Sequence, residues 1–196
     1  MEVAIIDYNA GNVRSVLYAM ERLGAEAVLT DDHEVIRSAS HVIFPGVGEA
    51  NTTMRHLRAR GLDELIPSLR QPVLGICLGM QLLCAYSEEN DTRCLGIIPQ
   101  QVLRFRPLNG EKVPHMGWNS LRQVEEGLFD PKTDEGAFVY FVHSYFVENG
   151  PYSTATCDHI NPFCAALRKD NFHATQFHPE KSGGVGEGIL RRFLNL

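Results

Sequence analysis

Pro72-Val73-Leu74-Gly75-Ile76-Cys77-Leu78-Gly79-Met80-Gln81-Leu82-Leu83 runs from a short apolar strand, through one cysteine, into a segment of helical character. Gly75 and Gly79 bracket Cys77 with the G-x-nucleophile-x-G spacing of a strand-to-helix elbow, where larger flanking side chains would collide with the turn. A thiol at that bend meets the first turn of the next helix, whose unpaired N–H groups and dipole favour thiolate. The pentapeptide alone also fits a core cysteine held between two glycines, so distant partners have to decide between nucleophile and core residue.

Upstream, Glu2–Asp7 reads as a buried β-branched strand and Asn9-Ala10-Gly11-Asn12 as a turn that caps a helix from Val13 to Leu23. Ala27–Thr30 is a second strand, Asp31-Asp32 caps a brief helix through Val35 and Ile36, and His41–Phe44 is a third strand ending in Pro45-Gly46-Val47-Gly48. Helical patterns follow from about Ala50 to Gly61 and over Leu62–Leu69, before Pro72 opens the strand to Cys77. Alternation of this kind predicts an α/β fold, a mostly parallel central sheet with flanking helices, and ligands gather at the carboxyl ends of such strands. Both Cys77 and the Pro45–Gly48 turn lie at carboxyl ends.

The second half is β-rich. After a polar loop over Ser87–Arg93, the segments Ile97–Phe105, Ala137–Val147, Tyr152–Cys157, Cys164–Lys169 and His173–Phe177 alternate in strand fashion. A glycine run at Gly183, Gly184, Gly186 and Gly188 precedes an amphipathic terminal helix over Ile189–Leu196. With no repeat or linker in sight, residues 1–196 are expected to form one domain.

Composition narrows the function. The 24 acidic residues outnumber 18 basic ones, for a formal net charge of −6, and the basic residues are scattered, which argues against a nucleic-acid surface. Five cysteines at 77, 84, 94, 157 and 164 form no C-x-x-C pair and suit neither a disulfide framework nor a zinc ribbon. The N-terminus lacks a basic n-region, and the apolar run Val73–Tyr86 is interrupted by Gln81 and too short for a bilayer, so a cytoplasmic protein away from membranes is expected.

A second chemical signal is Gln176-Phe177-His178-Pro179-Glu180-Lys181-Ser182. If a strand ends at His178, Pro179 fixes the backbone direction, and Glu180 can fold back onto one imidazole nitrogen while the other faces a thiol. Cys77, His178 and Glu180 would then form a nucleophile-base-carboxylate triad; the competing reading is a solvated loop pair. In the Gly46–Gly48 turn, bare N–H groups can point at a developing oxyanion beside the N–H of Leu78. No G-x-x-x-x-G-K-[ST] or complete G-x-G-x-x-G occurs, so nucleotide binding has no support. His115, His159 and His173 show no ligand-like grouping, and neither a metal nor another cofactor is expected.

Pro45-Gly46-Val47-Gly48, Gly75-Ile76-Cys77-Leu78-Gly79-Met80-Gln81 and the Gln176–Ser182 stretch together resemble the signatures of class I glutamine amidotransferases, in the same order and at comparable separations. Within that class, Asp7–Asn12, Pro114-His115-Met116-Gly117-Trp118-Asn119 and Phe141-Val142-His143-Ser144-Tyr145 are similar to the glutaminase subunits of imidazole glycerol phosphate synthases. The resemblance spans the chain and implies a glutaminase. Cys77 attacks the glutamine carboxamide, His178 serves as base and then acid, Glu180 orients His178, and N–H groups at Val47 or Gly48 and at Leu78 hold the oxyanion. It further implies glutamine contacts at Gly46, Gln81, His143, Ser144 and Tyr145. Ammonia would pass to a (β/α)₈ cyclase subunit in a heterodimer. Since free ammonia is protonated in neutral water, a docked consumer is also a chemical expectation. The resemblance suggests Asn12, Trp118, Tyr140 and Lys181 for the interface, against the plainer roles of helix cap for Asn12, core packing for Trp118 and solvated charge for Lys181. A backbone amide in the Gly46–Gly48 turn is expected to rotate into the oxyanion site under the partner's influence. Competing readings are another client, as in a pyridoxal phosphate synthase glutaminase or a γ-glutamyl hydrolase, or a docking module without catalysis. One departure from the family pattern is Gln100-Gln101 after Pro99, where a glycine turn is expected.

Overall fold

The structure, a computed structural model, describes residues 2–8, 13–107 and 110–196. In chain order the elements are β1 (Glu2–Ile6), α1 (Arg14–Arg22), β2 (Glu26–Thr30), α2 (His33–Ser38), β3 (His41–Phe44), α3 (Ala50–Ala59), α4 (Leu62–Ser68), β4 (Val73–Ile76) and α5 (Leu78–Leu83). There follow β5 (Cys84–Ser87), β6 (Thr92–Arg93), β7 (Ile98–Arg104), β8 (His115–Ser120), α6 (Pro131–Asp134), β9 (Phe138–His143), β10 (Tyr145–Val147), β11 (Ser153–Asp158), β12 (Pro162–Lys169) and β13 (Phe172–Thr175). A 3₁₀ turn (Pro179–Lys181) and α7 (Gly183–Phe193) end the chain.

Among the described residues, the main sheet runs in the order β2-β1-β3-β4-β13-β12-β10-β7-β5-β6, with β11 on β12. The half from β2 to β13 is parallel throughout. Val3 to Ile6, β3 and β4 are wholly buried, as strands covered on both faces require. Alternation along β1 divides the core: Ala4 and Ile6 face α3, α4 and α5 residues such as Met54, Leu65 and Met80, whereas Val3 and Ile5 face Val16 and Met20 of α1 and Leu190 and Phe193 of α7. From β12 onward the sheet is mainly antiparallel, with β5 parallel to β7. No helix among the described residues is long and apolar enough to cross a membrane.

The structure departs from the sequence expectations at several places: it adds strand β8 and helix α6, which were not expected, and ends β13 at Thr175 rather than carrying it to His178. The helix after Cys77 ends at Leu83, and Cys84–Ser87 is strand β5, which pairs with β7 and, across part of the expected loop, with β6. The single expected strand Ala137–Val147 breaks at Ser144: β9 pairs with β8 in a separate two-stranded sheet, while β10 joins the main sheet. Gln100 and Gln101 lie inside β7, so no turn forms there. The terminal helix begins at Gly183, six residues before the expected start, and takes in the glycine run. One of these glycines serves packing: a Cβ on Gly186 would lie 1.9 Å from the Pro179 carbonyl oxygen, so only glycine there lets α7 rest on the turn that carries Glu180.

Candidate active site

Strand order β3-β4-β13 brings the Pro45–Gly48 turn, Cys77 and the segment from Gln176 to His178 to adjacent carboxyl ends of one sheet. Cys77 sits between β4 and α5 at φ 54° and ψ −108°, a strained conformation for a side chain that has a Cβ. The close approach that imposes it is visible at Gly79, where a Cβ would lie 2.0 Å from the Phe44 carbonyl oxygen. The bend is therefore locked against β3. Tyr8 closes the floor, its hydroxyl donating to the Pro45 carbonyl at 2.6 Å, and burial together with the nearby Cys77 pushes its pKa up.

His178 and Glu180 meet as the spacing suggested. His178 Nδ1 and Glu180 Oε1 are 2.8 Å apart, with side chains only 2% and 3% exposed. The backbone of His178 is fixed by three hydrogen bonds in a closed loop: its N–H donates to Tyr140 O at 2.9 Å, Tyr140 N–H donates to Ser182 Oγ at 3.0 Å, and the Ser182 hydroxyl donates to His178 O at 2.7 Å. Its buried Nε2 has no nitrogen or oxygen partner, which leaves it to the Cys77 thiol. Burial of the ring opposes a positive charge, but hydrogen bonding to Cys77 and Glu180, and the negative charge of both, outweigh it and push the His178 pKa up to about 10. The arrangement favours the imidazolium form of His178.

A cavity of about 350 Å³ opens over the thiol. Cys77, His178, Val47, Gly48 and Leu78 line it on the elbow side, and Gln81, His143, Ser144 and Tyr145 across from them. Gly46 and Glu180 lie behind this wall. A Cβ on Gly46 would come within 2.7 Å of both the Gly79 nitrogen and the Leu78 Cβ, so it spaces the turn against the elbow. The oxyanion expectation at Leu78 meets an obstacle: Leu78 N–H already donates to the Gly46 carbonyl at 3.3 Å.

The side chain of His143 does not reach for a ligand. Its Nδ1 and the Tyr145 carbonyl are 2.7 Å apart and its Nε2 and His115 Nδ1 3.0 Å, inside a cluster with Phe105, Phe141 and Phe163. Burial lowers the pKa of His143 to about 3 and of His115 to about 4, which keeps both rings neutral. Trp118 and Tyr140 pair edge to face across β8 and β9 at 6.1 Å, and Trp118 is 56% exposed rather than core. Met116 and Phe138, similarly exposed, extend that apolar face. Lys181 is half-buried in the 3₁₀ turn, and Asn12, with the turn expected at Asn9–Asn12, lies outside the described residues.

Three cavity residues were not expected to line the site: Glu89, and Pro114 and Val142, which the sequence offered only as members of longer motifs. Glu89 holds the first turn of α3, its Oε2 accepting from Ala50 N–H at 2.8 Å, and burial pushes its pKa up. Its only signal was a pair of glutamates in a polar loop.

An elbow thiol, a buried imidazole-carboxylate pair and a small pocket above them are the parts of an amide-cleaving site. A family model described as glutamine amidotransferase class-I matches residues 4–196, and the chain belongs to that class. Relatives named imidazole glycerol phosphate synthase subunit HisH, from Bacteroides thetaiotaomicron and Bacteroides fragilis (strain YCH46), are 60% and 59% identical over 197 residues, covering 100% of each chain. A third, from Idiomarina loihiensis, is 45% identical and covers 100% of this chain and 98% of its own. Within the class, the chain therefore belongs to the HisH family. A solved structure described as a glutamine amidotransferase shares the fold, with TM-score 0.75 at 22% identity, covering 98% of this chain and 97% of its own.

Proposed function

We propose that this chain is the glutaminase subunit of an imidazole glycerol phosphate synthase in histidine biosynthesis, working as one unit over residues 1–196. The observation that carries the chemistry is the Cys77 elbow facing a buried His178 whose Nδ1 is 2.8 Å from Glu180. The Cys77 thiolate attacks the side-chain carbonyl carbon of glutamine, forming a C–S bond as the carbonyl electrons move to oxygen. When the tetrahedral adduct collapses, the imidazolium of His178 delivers its proton to the departing nitrogen and ammonia leaves. Water then attacks the γ-glutamyl thioester while His178 takes its proton, releasing glutamate and restoring the thiolate. Glu180 keeps Nδ1 protonated and the ring aligned.

The substrate amide lies over Cys77 between Gln81 and the backbone of His143, Ser144 and Tyr145, and the α-ammonium is placed toward the Glu89 carboxylate. N–H groups at Val47 or Gly48 and at Leu78 hold the oxyanion. In the present geometry the Leu78 N–H is spent on the Gly46 carbonyl, so this is a resting state that the Gly46–Gly48 turn must leave by rotating a peptide. Ammonia passes to a (β/α)₈ cyclase subunit docked on the exposed Met116, Trp118 and Phe138 face, with Tyr140, paired with Trp118, and Lys181 as further interface residues. Five cysteines, all free and buried, suit the reducing cytoplasm.

The test is glutamate release by the chain and by Cys77→Ala, each with and without a cyclase subunit carrying its nucleotide ligand. Activity that needs Cys77 and rises strongly with the liganded cyclase supports the whole reading. Equal hydrolysis with and without it rules out the resting-state switch; no Cys77-dependent hydrolysis in any mixture rules out the glutaminase.

A further inference from the structure

Gln176 is fully buried behind the cavity, and every polar atom around its side chain has a role that chemistry fixes. The Tyr145 carbonyl can only accept, so His143 carries its proton on Nδ1, which donates to that oxygen at 2.7 Å. His143 Nε2 is then an acceptor for His115 Nδ1–H at 3.0 Å, and His115 Nε2 accepts from Asn119 Nδ2 at 3.2 Å. On its other side the same Tyr145 carbonyl accepts from Gln81 Nε2 at 2.9 Å. The second Gln81 amide hydrogen donates to Gln176 Oε1, also at 2.9 Å. With its oxygen so engaged, Gln176 can present only its NH₂ group to the remaining neighbour, and that neighbour is Cys77 Sγ at 3.8 Å.

We infer that Gln176 is a further catalytic residue: its side-chain N–H donates to Cys77 Sγ and holds the sulfur as thiolate, while Gln81 fixes which end of the amide faces it. This rests on the glutaminase reading of Cys77 and deepens it. The sulfur otherwise faces the Val142 carbonyl at 3.8 Å, an acceptor that suits a thiol hydrogen and disfavours a negative charge. A neutral donor opposite that carbonyl offsets it, because hydrogen bonding to the charged form of an acid favours that form. His178 supplies the positive charge; Gln176 supplies a donor that does not depend on the protonation of the imidazole.

The test follows the Cys77 peptide by mass spectrometry during iodoacetamide alkylation of the full chain across pH. Gln176→Met removes the donor at similar volume. Gln176→Glu keeps the acceptor for Gln81 and puts a carboxylate where the donor was. The alkylation midpoint is expected to rise by about one pH unit in the Met variant, about tenfold slower reaction below both midpoints, and by more in the Glu variant. Variants with native circular dichroism that follow the parent's profile would overturn the proposal. In the unaltered chain, the Gln176 side-chain amide ¹⁵N resonance is expected to move with the alkylation midpoint and to stop doing so in Cys77→Ala; a resonance indifferent to pH would also overturn it. Glutamate release unaffected by Cys77→Ala, by contrast, would remove the glutaminase reading and leave the alkylation result standing.

Discussion

Replacing Cys77 by alanine should lower the titration midpoint of His178. The ring is raised from an ordinary 6.5 to about 10 against the opposing effect of burial. Cys77 and Glu180 both push it up, by hydrogen bonding and by charge, with Cys77 the leading cause. Loss of that neighbour should lower the midpoint by about 1 pH unit or more. The sign for stability follows. Because the folded value lies above the unfolded one, the contribution of His178 is fully present below about 6.5 and disappears as pH rises through the folded midpoint, near 10 in the parent and lower in the variant. The assay is a ¹³Cε1 histidine NMR titration of both proteins from pH 5 to 11, with His178→Asn identifying the resonance and thermal unfolding measured alongside. A parent His178 that titrates near 6.5, or a variant midpoint that stays near 10, would show that thiol and imidazole do not share a proton, and the reasoning would fail.

Other consequences can be checked with simpler measurements. Gly79→Ala sets a Cβ 2.0 Å from a backbone oxygen of β3 and should cost about 3 kcal/mol or more by denaturant unfolding, with glutaminase activity lost; a parent-like transition would mean the elbow is not locked by that contact. Glu89→Gln removes the charge placed to meet the α-ammonium while keeping an acceptor for Ala50 N–H, so KM for glutamine should rise about tenfold with kcat little changed. Trp118→Ala, at a side chain 56% exposed, should leave the isolated chain's melting curve in place yet weaken cyclase binding by about 2 kcal/mol in calorimetry.

How much of this was legible in the sequence depended on whether the signal was local. Strands β1, β3 and β4 are continuous apolar runs buried on both faces, and α3 and α4 stop where Gly61 and Leu69 indicate, so the parallel half could be read almost to the residue. The second half failed where sheet membership, not propensity, decided the outcome. Nothing in Ala137–Val147 says that the chain leaves the β8 partnership at Ser144 and enters the main sheet, because both halves of the run have the same strand character and only distant partners separate them. The glycine run misled for a related reason. Glycine costs about 1 kcal/mol per residue inside a helix, which argues for a loop; the contact that demands it at Gly186 is made with Pro179, on a separate element.

The same division runs through the site. Cys77, His178 and Glu180 were readable because each side chain is delivered by a local device, a glycine-bracketed bend or a proline directly between the histidine and the glutamate. The groups that tune them are not local. Glu89 reaches the cavity from a hairpin, Tyr140 and Ser182 clamp His178 across 42 residues of sequence, and Gln176 bonds Gln81 across 95. Gln176 and Ser182 are polar and buried, Glu89 and Tyr140 are half-buried, and the polar groups so enclosed would be costly to leave without partners. That cost explains why they come as closed sets: the clamp at His178 returns to its own backbone, and the chain from Asn119 through His115, His143, Tyr145, Gln81 and Gln176 ends on the sulfur with every donor direction assigned. One end of that chain is a β8 residue beside the exposed Trp118, and the other is the nucleophile. The exposed β8–β9 face and the nucleophile are thus the two ends of one hydrogen-bonded series.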